Sequence, residues 1–332
     1  MYERIASEAN LLSAWQEFRR GKRNKRDTQG FEFRLEENLF SLRDDLLSGE
    51  YRHGVYESFY VRDPKLRHIH KASVRDRLLH QAVFRVVYPI FDKRFIYDSY
   101  SSRLGKGTHA GVARLAAFLR KVSENHTRGA WALKCDIRKF FDSVDHKILI
   151  GLVRLKIADE RTIRLIEIIV ESFQASAGKG LPLGNVTSQL FGNIYMNELD
   201  RFVKHALRER HYLRYSDDFL IVGSDLEHLK RLITPIADFL RRQLSLSLHP
   251  TKVTIRKVRQ GVDFLGYVSL PHHVVLRTKT KRRMFERANL KNLFSYLGLL
   301  THCDGYDLAR MLVIEADRGT DIERCFENDN VI

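Results

Sequence analysis

The chain of 332 residues has few of the features that cross-link a protein or place it in a membrane. Its 3 cysteines cannot all pair and lie at no zinc-site spacing. This argues against a disulfide scaffold and a structural zinc, and for a reducing cytoplasm. No apolar run approaches the roughly 18 residues of a membrane span, so no membrane partner is expected. The first residues also lack the apolar core of a secretory signal.

Positive charge is what the sequence has in excess. Lys and Arg number 57 against 41 Asp and Glu, a formal net charge of +16. An excess of this size predicts a polyanionic partner, most often nucleic acid, although a generally basic solvated surface is the alternative. Two basic segments, 19–26 and 279–283, are candidates for phosphate contacts, since each cation that neutralises a phosphate releases counterions. The cations expected to bind nucleic acid are Lys22, Arg23, Lys25, Arg26, Lys279, Lys281, Arg282 and Arg283.

The hydrophobic pattern mixes helices and strands without strict alternation, which favours an α+β fold. Helices are predicted over 8–20, 33–48, 75–90, 108–122, 145–156, 160–174, 186–209 and 226–244, and again beyond 279. Strands are predicted over 55–61, 131–136, 212–215, 219–223, 252–258, 262–269 and 273–277. Thr108 is a candidate N-cap of the helix that reaches 122. Gly49 is expected to end the helix over 33–48.

Two acidic positions can carry chemistry. Asp136 ends a predicted strand, and Asp217 and Asp218 lie at the tip of a predicted hairpin. If the strands are adjacent, these carboxylates meet at one edge of a sheet and can hold Mg²⁺. Two such ions would activate a 3′-hydroxyl and stabilise a leaving pyrophosphate. Taken alone, an Asp-Asp pair in a hairpin is simply a turn.

The surrounding motifs favour the chemical interpretation. Tyr-Ser-Asp-Asp at 215–218 resembles the Tyr-x-Asp-Asp box of reverse transcriptases, and the segment from Asp136 to Phe141 resembles their first palm motif. Residues 180–189 resemble the motif between those two. His-Pro-Thr-Lys at 249–252 resembles the lysine-bearing motif, and Phe-Leu-Gly at 264–266 the primer grip. Residues 64–67 and 75–81 resemble the fingers motifs of bacterial reverse transcriptases related to group II introns.

This resemblance implies a right-hand polymerase with an antiparallel palm sheet flanked by helices. The fingers with an N-terminal extension would span 1–125, the catalytic palm 126–267 and a short basic helical thumb 268–332. The activity implied is RNA-templated DNA synthesis with two Mg²⁺ ions, for which Mn²⁺ can substitute. The implied partners are a template or structured noncoding RNA, primer and cDNA product, and dNTPs.

Roles follow residue by residue from the resemblance. Asp136 and Asp217 are expected to coordinate the metals. Asp218 either joins them or supports the site, because adjacent side chains near a strand end point to opposite faces. Lys252 could protonate the leaving pyrophosphate, or be a strand-edge charge. The primer grip would be Phe264, Leu265 and Gly266, and the residues expected to contact the nucleotide are Lys65, Arg67, Phe141, Leu183, Gly184 and Gln189.

Among these residues, Phe141 would lie under the nucleotide sugar and exclude a 2′-hydroxyl. The alternative is that Phe141 is a core aromatic, a role that Phe140 also fits. Cys135 should point away from the carboxylates into the core.

One departure from the usual motif suggests which class this is. Leu183 stands where most relatives have Gln, and Ser188-Gln189 where most have Ser-Pro. This pattern resembles the reverse transcriptases of diversity-generating retroelements, which copy a template RNA with errors at adenines. An aliphatic side chain cannot hydrogen-bond a base, so weaker discrimination is expected.

Three further expectations remain open. The enzyme would be bacterial or phage-encoded, and an accessory RNA-binding protein could share its RNA. A stand-alone antiphage-defence reverse transcriptase with its own noncoding RNA is the alternative role. A non-catalytic RNA-binding polymerase scaffold is the alternative of another class.

Overall fold

The computed structural model describes residues 1–62 and 66–315. Helices make up most of the described chain. They are α1 (Tyr2–Ala6), α2 (Glu8–Phe18), α3 (Arg26–Phe33), α4 (Leu35–Ser48), α5 (Val74–Asp92), α6 (Thr108–Val122), α7 (Phe140–Ser143), α8 (His146–Arg154), α9 (Glu160–Glu171), α10 (Val186–Arg201), α11 (Leu226–Leu244), α12 (Thr278–Arg287) and α13 (Leu293–Leu300). A π-helical turn, Phe202–Ala206, continues α10, and residues 306–315 are again helical.

The strands form three antiparallel sheets. They are β1 (Glu57–Arg62), β2 (Leu66–Lys71), β3 (Trp131–Asp136), β4 (Tyr212–Tyr215), β5 (Asp218–Gly223), β6 (Thr254–Lys257), β7 (Val262–Phe264), β8 (Tyr267–Ser269) and β9 (Val274–Leu276). The central sheet has the order β4-β5-β3-β6, the hairpin β1-β2 stands apart, and β7-β8-β9 form a small third sheet. The predicted α+β class with an antiparallel central sheet is confirmed.

The inner strands β3 and β5 of the central sheet are covered on both faces, which explains the continuous apolar run Phe-Leu-Ile-Val in β5. Leu133, Cys135 and Phe219 lie on one face, in the large core formed with the N-terminal helices and α8–α11. Leu220 and Val222 lie on the other, where α6 packs. Cys135 is buried on the face away from the carboxylates, because neighbouring strand residues point to opposite faces.

A third core lies between the small sheet and the last helices. Met284 of α12 and Leu312 are fully buried there, packed with Tyr267, Leu276 and Leu300. Lys279 and Arg282 of α12 are exposed, while Lys281 and Arg283 are half-buried. The predicted basic helical tail is therefore present, with one apolar face packed on the rest of the molecule.

The structure corrects three local predictions. The N-cap of α6 is Gly107 rather than Thr108, which is the first helical residue. The strand predicted over 262–269 is two strands, because Leu265 and Gly266 adopt φ of +52° and +90° and form a tight turn. The helix predicted over 186–209 changes to the π-helical turn at Phe202.

Two predictions concern residues outside the described ranges. Lys65 is one, and the end of the proposed thumb beyond residue 315 is the other. Within the described part of the chain, no helix combines the length and apolarity that crossing a membrane requires.

Candidate active site

The predicted carboxylates meet at one edge of the central sheet. β3 and β5 are antiparallel, and Asp136 is the direct register partner of Asp218. Directly opposed residues of antiparallel strands project to the same face. Asp217 lies beside them in the turn between β4 and β5. The expectation that a strand-end Asp and a hairpin-tip Asp come together is therefore met by the register of the sheet.

The turn carrying Asp217 is as short as a hairpin allows. Tyr215 pairs with Asp218, which leaves Ser216 and Asp217 as a two-residue loop. Ser216 has φ of +58°, in the left-handed region that favours glycine. A two-residue loop needs such a residue to match the twist of the strands. The local conformation is thus set by the hairpin rather than by the preference of serine.

Two lysines neutralise the carboxylates. The Nζ atom of Lys252 donates to Asp136 Oδ1 at 2.9 Å. The segment carrying Lys252 docks at the end of β3, where His249 N donates to the Asp136 carbonyl at 2.7 Å. Lys134, which the sequence analysis did not select, lies 3.1 Å from Asp218 Oδ2 and donates to the Asp263 carbonyl at 2.9 Å. Lys134 therefore ties the carboxylate edge to β7.

Burial and mutual repulsion disfavour the charged forms of two carboxylates. Burial raises the pKa of Asp218 to about 6, even though Lys134 lowers it. Burial, followed by the charge of Asp136, also raises the pKa of Asp217. Both effects are those of acidic groups held together in a partly dry site, where a cation is needed to stabilise them.

The residues present fit Mg²⁺. This ion takes oxygen ligands, and it is usually held by one or two carboxylates together with substrate phosphates. Asp136 and Asp217 offer such a pair, and Asp218 Oδ1 is buried with no hydrogen-bond partner within the described residues. Among residues 1–62 and 66–315, no three His, Cys, Asp or Glu side chains form a ready-made ligand set. The two-ion assignment remains a proposal.

The candidate sugar gate lies next to the loop that carries Leu183. Phe140 is buried in the core, whereas Phe141 is half-buried, with the two rings edge-to-face at 5.1 Å. Leu181 N donates to the Phe141 carbonyl at 2.7 Å, which fixes the loop beside this ring. Leu183 itself is half-buried. The structure therefore places the gate candidate and the fidelity candidate on directly connected segments.

The hairpin β1-β2 reaches the same loop from the other side. A Cβ atom built on Gly184 would lie 3.6 Å from Ile69 Cγ2. Arg67 is two residues from Ile69 on the same face of β2 and is exposed. Gln189, on the first turns of α10, is also exposed. Arg67 is thus free to reach a ligand at this face, while the position of Lys65 stays a prediction.

The candidate primer grip is a turn rather than a strand. Phe264 is buried at the end of β7, with Lys134 Nζ 5.8 Å from its ring centroid. Leu265 and Gly266 form the tip, and Leu265 packs against α6 at Gly111. Because it is buried, the Phe264 ring is not exposed to contact a strand of nucleic acid.

Of the four cations selected in the first basic segment, all but Lys22 are exposed. Arg23, Lys25 and Arg26 face solvent, whereas Lys22 folds back, donates to the Phe18 carbonyl at 2.6 Å and lies over the Phe18 ring. Three of the four predicted cations in this segment are thus available to phosphates.

Comparisons with known proteins agree with this geometry. A model of the family described as reverse transcriptase (RNA-dependent DNA polymerase) matches residues 62–269. The chain is 30% identical over 275 residues to Protein YkfC of Escherichia coli K12, covering 70% of this chain and 71% of that protein. It is 28% identical over 303 residues to the group II intron-encoded protein LtrA of Lactococcus lactis, covering 70% of this chain and 49% of LtrA. The chain thus spans about half the length of LtrA.

A solved structure shows the same fold at low identity. Apo telomerase from Candida tropicalis aligns with a TM-score of 0.52 and 13% identity, covering 69% of this chain and 55% of that chain. The right-hand polymerase fold predicted from the motifs is confirmed. Since the match to the family extends over most of the described residues and includes both strands that bear the carboxylates, the chain belongs to the reverse transcriptases, the RNA-dependent DNA polymerases.

Proposed function

We propose that this reverse transcriptase copies a structured noncoding RNA into DNA, and that its chemistry takes place at Asp136 and Asp217. The observation that carries the proposal is the register of β3 and β5, which opposes Asp136 and Asp218 with Asp217 in the adjoining turn. We assign Asp136 and Asp217 as metal ligands. Asp218, whose Oδ2 lies 3.1 Å from Lys134 Nζ, supports them.

Several residues of the chain would bind the metal ions and the charged phosphates of the nucleotide. When bound, two Mg²⁺ ions would activate the primer 3′-hydroxyl and stabilise the leaving pyrophosphate. Lys252 holds Asp136 at 2.9 Å before substrate arrives, and it is then positioned to protonate the pyrophosphate. Arg67, exposed on β2, would grip the triphosphate with its forked donors. Lys65, two residues before it in sequence, would add a point charge.

The pocket around the sugar would select the nucleotide. Phe141 is expected to contact the sugar and exclude a 2′-hydroxyl. The loop of Leu183 and Gly184, fixed to the Phe141 carbonyl, would contact the base pair being formed, with Gln189 behind it. Because Leu183 cannot hydrogen-bond, it would discriminate weakly between correct and incorrect pairs.

We further propose that the enzyme is error-prone, as in a diversity-generating retroelement, with an accessory RNA-binding protein as a partner. Leu183 together with Ser188 and Gln189 supports this class. The basic segments at 19–26 and 279–283 would hold the RNA, with the turn at 264–266 on the primer.

Primer extension on an RNA template with Mg²⁺ and four dNTPs, followed by product sequencing, tests the class. We expect substitutions concentrated at template adenines for the wild type, and fewer of them for Leu183→Gln, because an amide can hydrogen-bond where leucine cannot. Identical error spectra would remove the argument from Leu183. Accurate DNA from the wild type would favour an antiphage-defence enzyme. Absence of DNA even with RNA recovered from the native complex would favour a non-catalytic scaffold.

A further inference from the structure

Arg214 is a fully buried cation directly beneath the turn that carries Asp217. It lies on β4, two residues before Ser216, and its side chain is 0% exposed. The strand around it is otherwise aromatic and aliphatic, since Tyr212 and Leu213 are also buried. A buried arginine in such a strand requires partners for its charge and for all its donors.

Every donor of this guanidinium is used. Nε and Nη2 donate to the two carboxylate oxygens of Asp200, each at 2.7 Å. Nη2 also donates to Ser99 Oγ at 3.1 Å, and Nη1 donates to Asn193 Oδ1 at 3.2 Å. The fifth donor, the second on Nη1, reaches the Ser216 carbonyl oxygen at 2.9 Å. The last bond connects the buried ion pair to the catalytic turn.

The pair is fixed from both sides. Asp200, also 0% exposed, accepts a further hydrogen bond from the Tyr212 hydroxyl at 2.6 Å. On the opposite edge, Arg214 N donates to the Asp98 carbonyl at 2.9 Å, and its own carbonyl accepts from Tyr100 N at 2.9 Å. The guanidinium therefore cannot shift without disturbing α10 and the segment before α6.

Stability alone is a poor explanation for this arrangement. Burying two charges requires desolvation that their attraction only partly offsets, and apolar residues of similar volume are often as stable. Meanwhile, Ser216 holds a left-handed φ of +58° that needs support from its surroundings. The hydrogen bond from Arg214 supplies this support at the carbonyl of the peptide unit that joins Ser216 to Asp217.

We infer that Arg214 and Asp200 form a positioning pair, which fixes the Ser216–Asp217 peptide plane and so holds the Asp217 carboxylate in place for the metal ions that it would bind. The inference rests on the proposed function of Asp217. The guanidinium of Arg214 donates to the Asp200 carboxylate and also to the Ser216 carbonyl. Removing both charged side chains should therefore loosen the turn while leaving the sheet intact. Neither residue contacts substrate.

The test replaces both charges together, with Asp200→Leu and Arg214→Met, so that no buried charge is left alone. The matched control is Tyr212→Phe, which removes a hydrogen bond to Asp200 without affecting Ser216. Mn²⁺ binding to the free protein is measured by electron paramagnetic resonance, and amide hydrogen exchange is measured at residues 216–218. Single-nucleotide incorporation gives kcat and the KM for dNTP.

We expect the double variant to bind Mn²⁺ about tenfold more weakly and to incorporate about 10- to 100-fold more slowly, as for other supports of metal ligands. The KM for dNTP and the affinity for template–primer should stay unchanged. Amide hydrogen exchange at residues 216–218 should be faster than in the wild type. The control should match the wild type in Mn²⁺ affinity. If the double variant is unfolded, Arg214→Lys provides the same test, because a lysine keeps the charge but cannot hold Asp200 and Ser216 in one fork.

A folded variant with wild-type Mn²⁺ affinity and wild-type exchange would overturn the inference. Failure of both variants to fold would mark the pair as a folding element and would overturn it equally. If Asp217 were not a metal ligand at all, the result would be distinguishable, because the Asp217→Asn variant would then incorporate nucleotide at the wild-type rate.

Discussion

The carboxylate edge and the hairpin β1-β2 flank one proposed site but are built in opposite ways. Phe219, Leu220 and Ile221 of β5 are completely buried, and a saturated hydrogen-bond network lies under the turn that follows β4. In contrast, all six residues of β1 are exposed. The groups that would perform the chemistry are therefore held by the core before any substrate binds. The groups that would bind the triphosphate stand on a two-stranded element, which gains little stability from its own packing.

The hairpin is held mainly by polar and ring contacts. Lys71 pairs with Asp27 and Glu57 at its base, and Tyr60 stacks on His68 with ring centroids 4.4 Å apart. Exposed ion pairs contribute little to stability. This contrast suggests that substitutions at the carboxylate edge change catalysis at fixed affinity, while substitutions on the hairpin change affinity for the nucleotide.

The largest change expected short of removing a metal ligand is at the sugar gate. Phe141→Ala opens space beside the sugar, so selection for dNTPs over rNTPs should fall by about 100-fold, because steric rejection of the hydroxyl is lost. Parallel kinetics with dCTP and CTP measure this ratio. Phe140→Leu is the control, since that ring lies in the core and should affect stability instead. An unaltered ratio in Phe141→Ala would place the gate elsewhere.

On the hairpin, Arg67→Ala should raise the KM for dNTP about tenfold with a smaller change in kcat, because a charge-assisted hydrogen bond to phosphate is lost. Arg62→Ala provides a matched control, since Arg62 is an exposed cation on the opposite face of the same hairpin. Equal effects of the two variants would mean that the hairpin acts only through its net charge. A fall in kcat without a rise in KM for Arg67→Ala would contradict the expectation that hairpin substitutions change the affinity for the nucleotide.

The smallest expected effect is on stability. Since burial raises the pKa of Asp218 to about 6, its ionised form destabilises the folded, metal-free protein above that pH. Asp218→Asn should therefore stabilise the metal-free protein at pH 7.5, by about 1–2 kcal/mol after the lost pair with Lys134 is discounted. The gain should shrink as the pH falls through 6 towards 4, where the wild-type carboxyl is protonated. Thermal melts at pH 7.5 and 5 measure it, and an equal gain at both would contradict the assignment.

The sequence predicts the local parts of this site better than its long-range contacts. Apolar periodicity located β3, β4 and β5, and the position of Asp136 at a strand end allowed it to meet the hairpin-tip carboxylates if the strands were adjacent. The alternation of faces also predicted correctly that Cys135 lies in the core. An arginine within the apolar strand β4 was a visible signal for a buried network, but nothing local identifies Asp200 as its partner.

Two further features, the contacts of Lys134 and the turn at Leu265, were not predicted because they also depend on tertiary packing. Lys134 shares a face with Asp136 by strand alternation, yet its contact with Asp218 and with the Asp263 carbonyl depends on how two distant segments pack. The turn at Leu265 was missed because leucine seldom adopts a positive φ. It is stabilised by packing of its side chain on α6, which is tertiary information.

The most direct test of Asp217 as a metal ligand of the polymerase site is the Asp217→Asn variant. Single-nucleotide incorporation on an RNA template–primer is compared with the wild type, alongside circular dichroism and template–primer affinity. Asp238→Asn is the matched control, because Asp238 is a half-exposed carboxylate of α11 that pairs with Arg241. We expect at least about a thousandfold loss of incorporation with intact folding and RNA binding, because metal-dependent stabilisation of the transition state is lost. Incorporation by Asp217→Asn at the rate of the control would contradict this expectation.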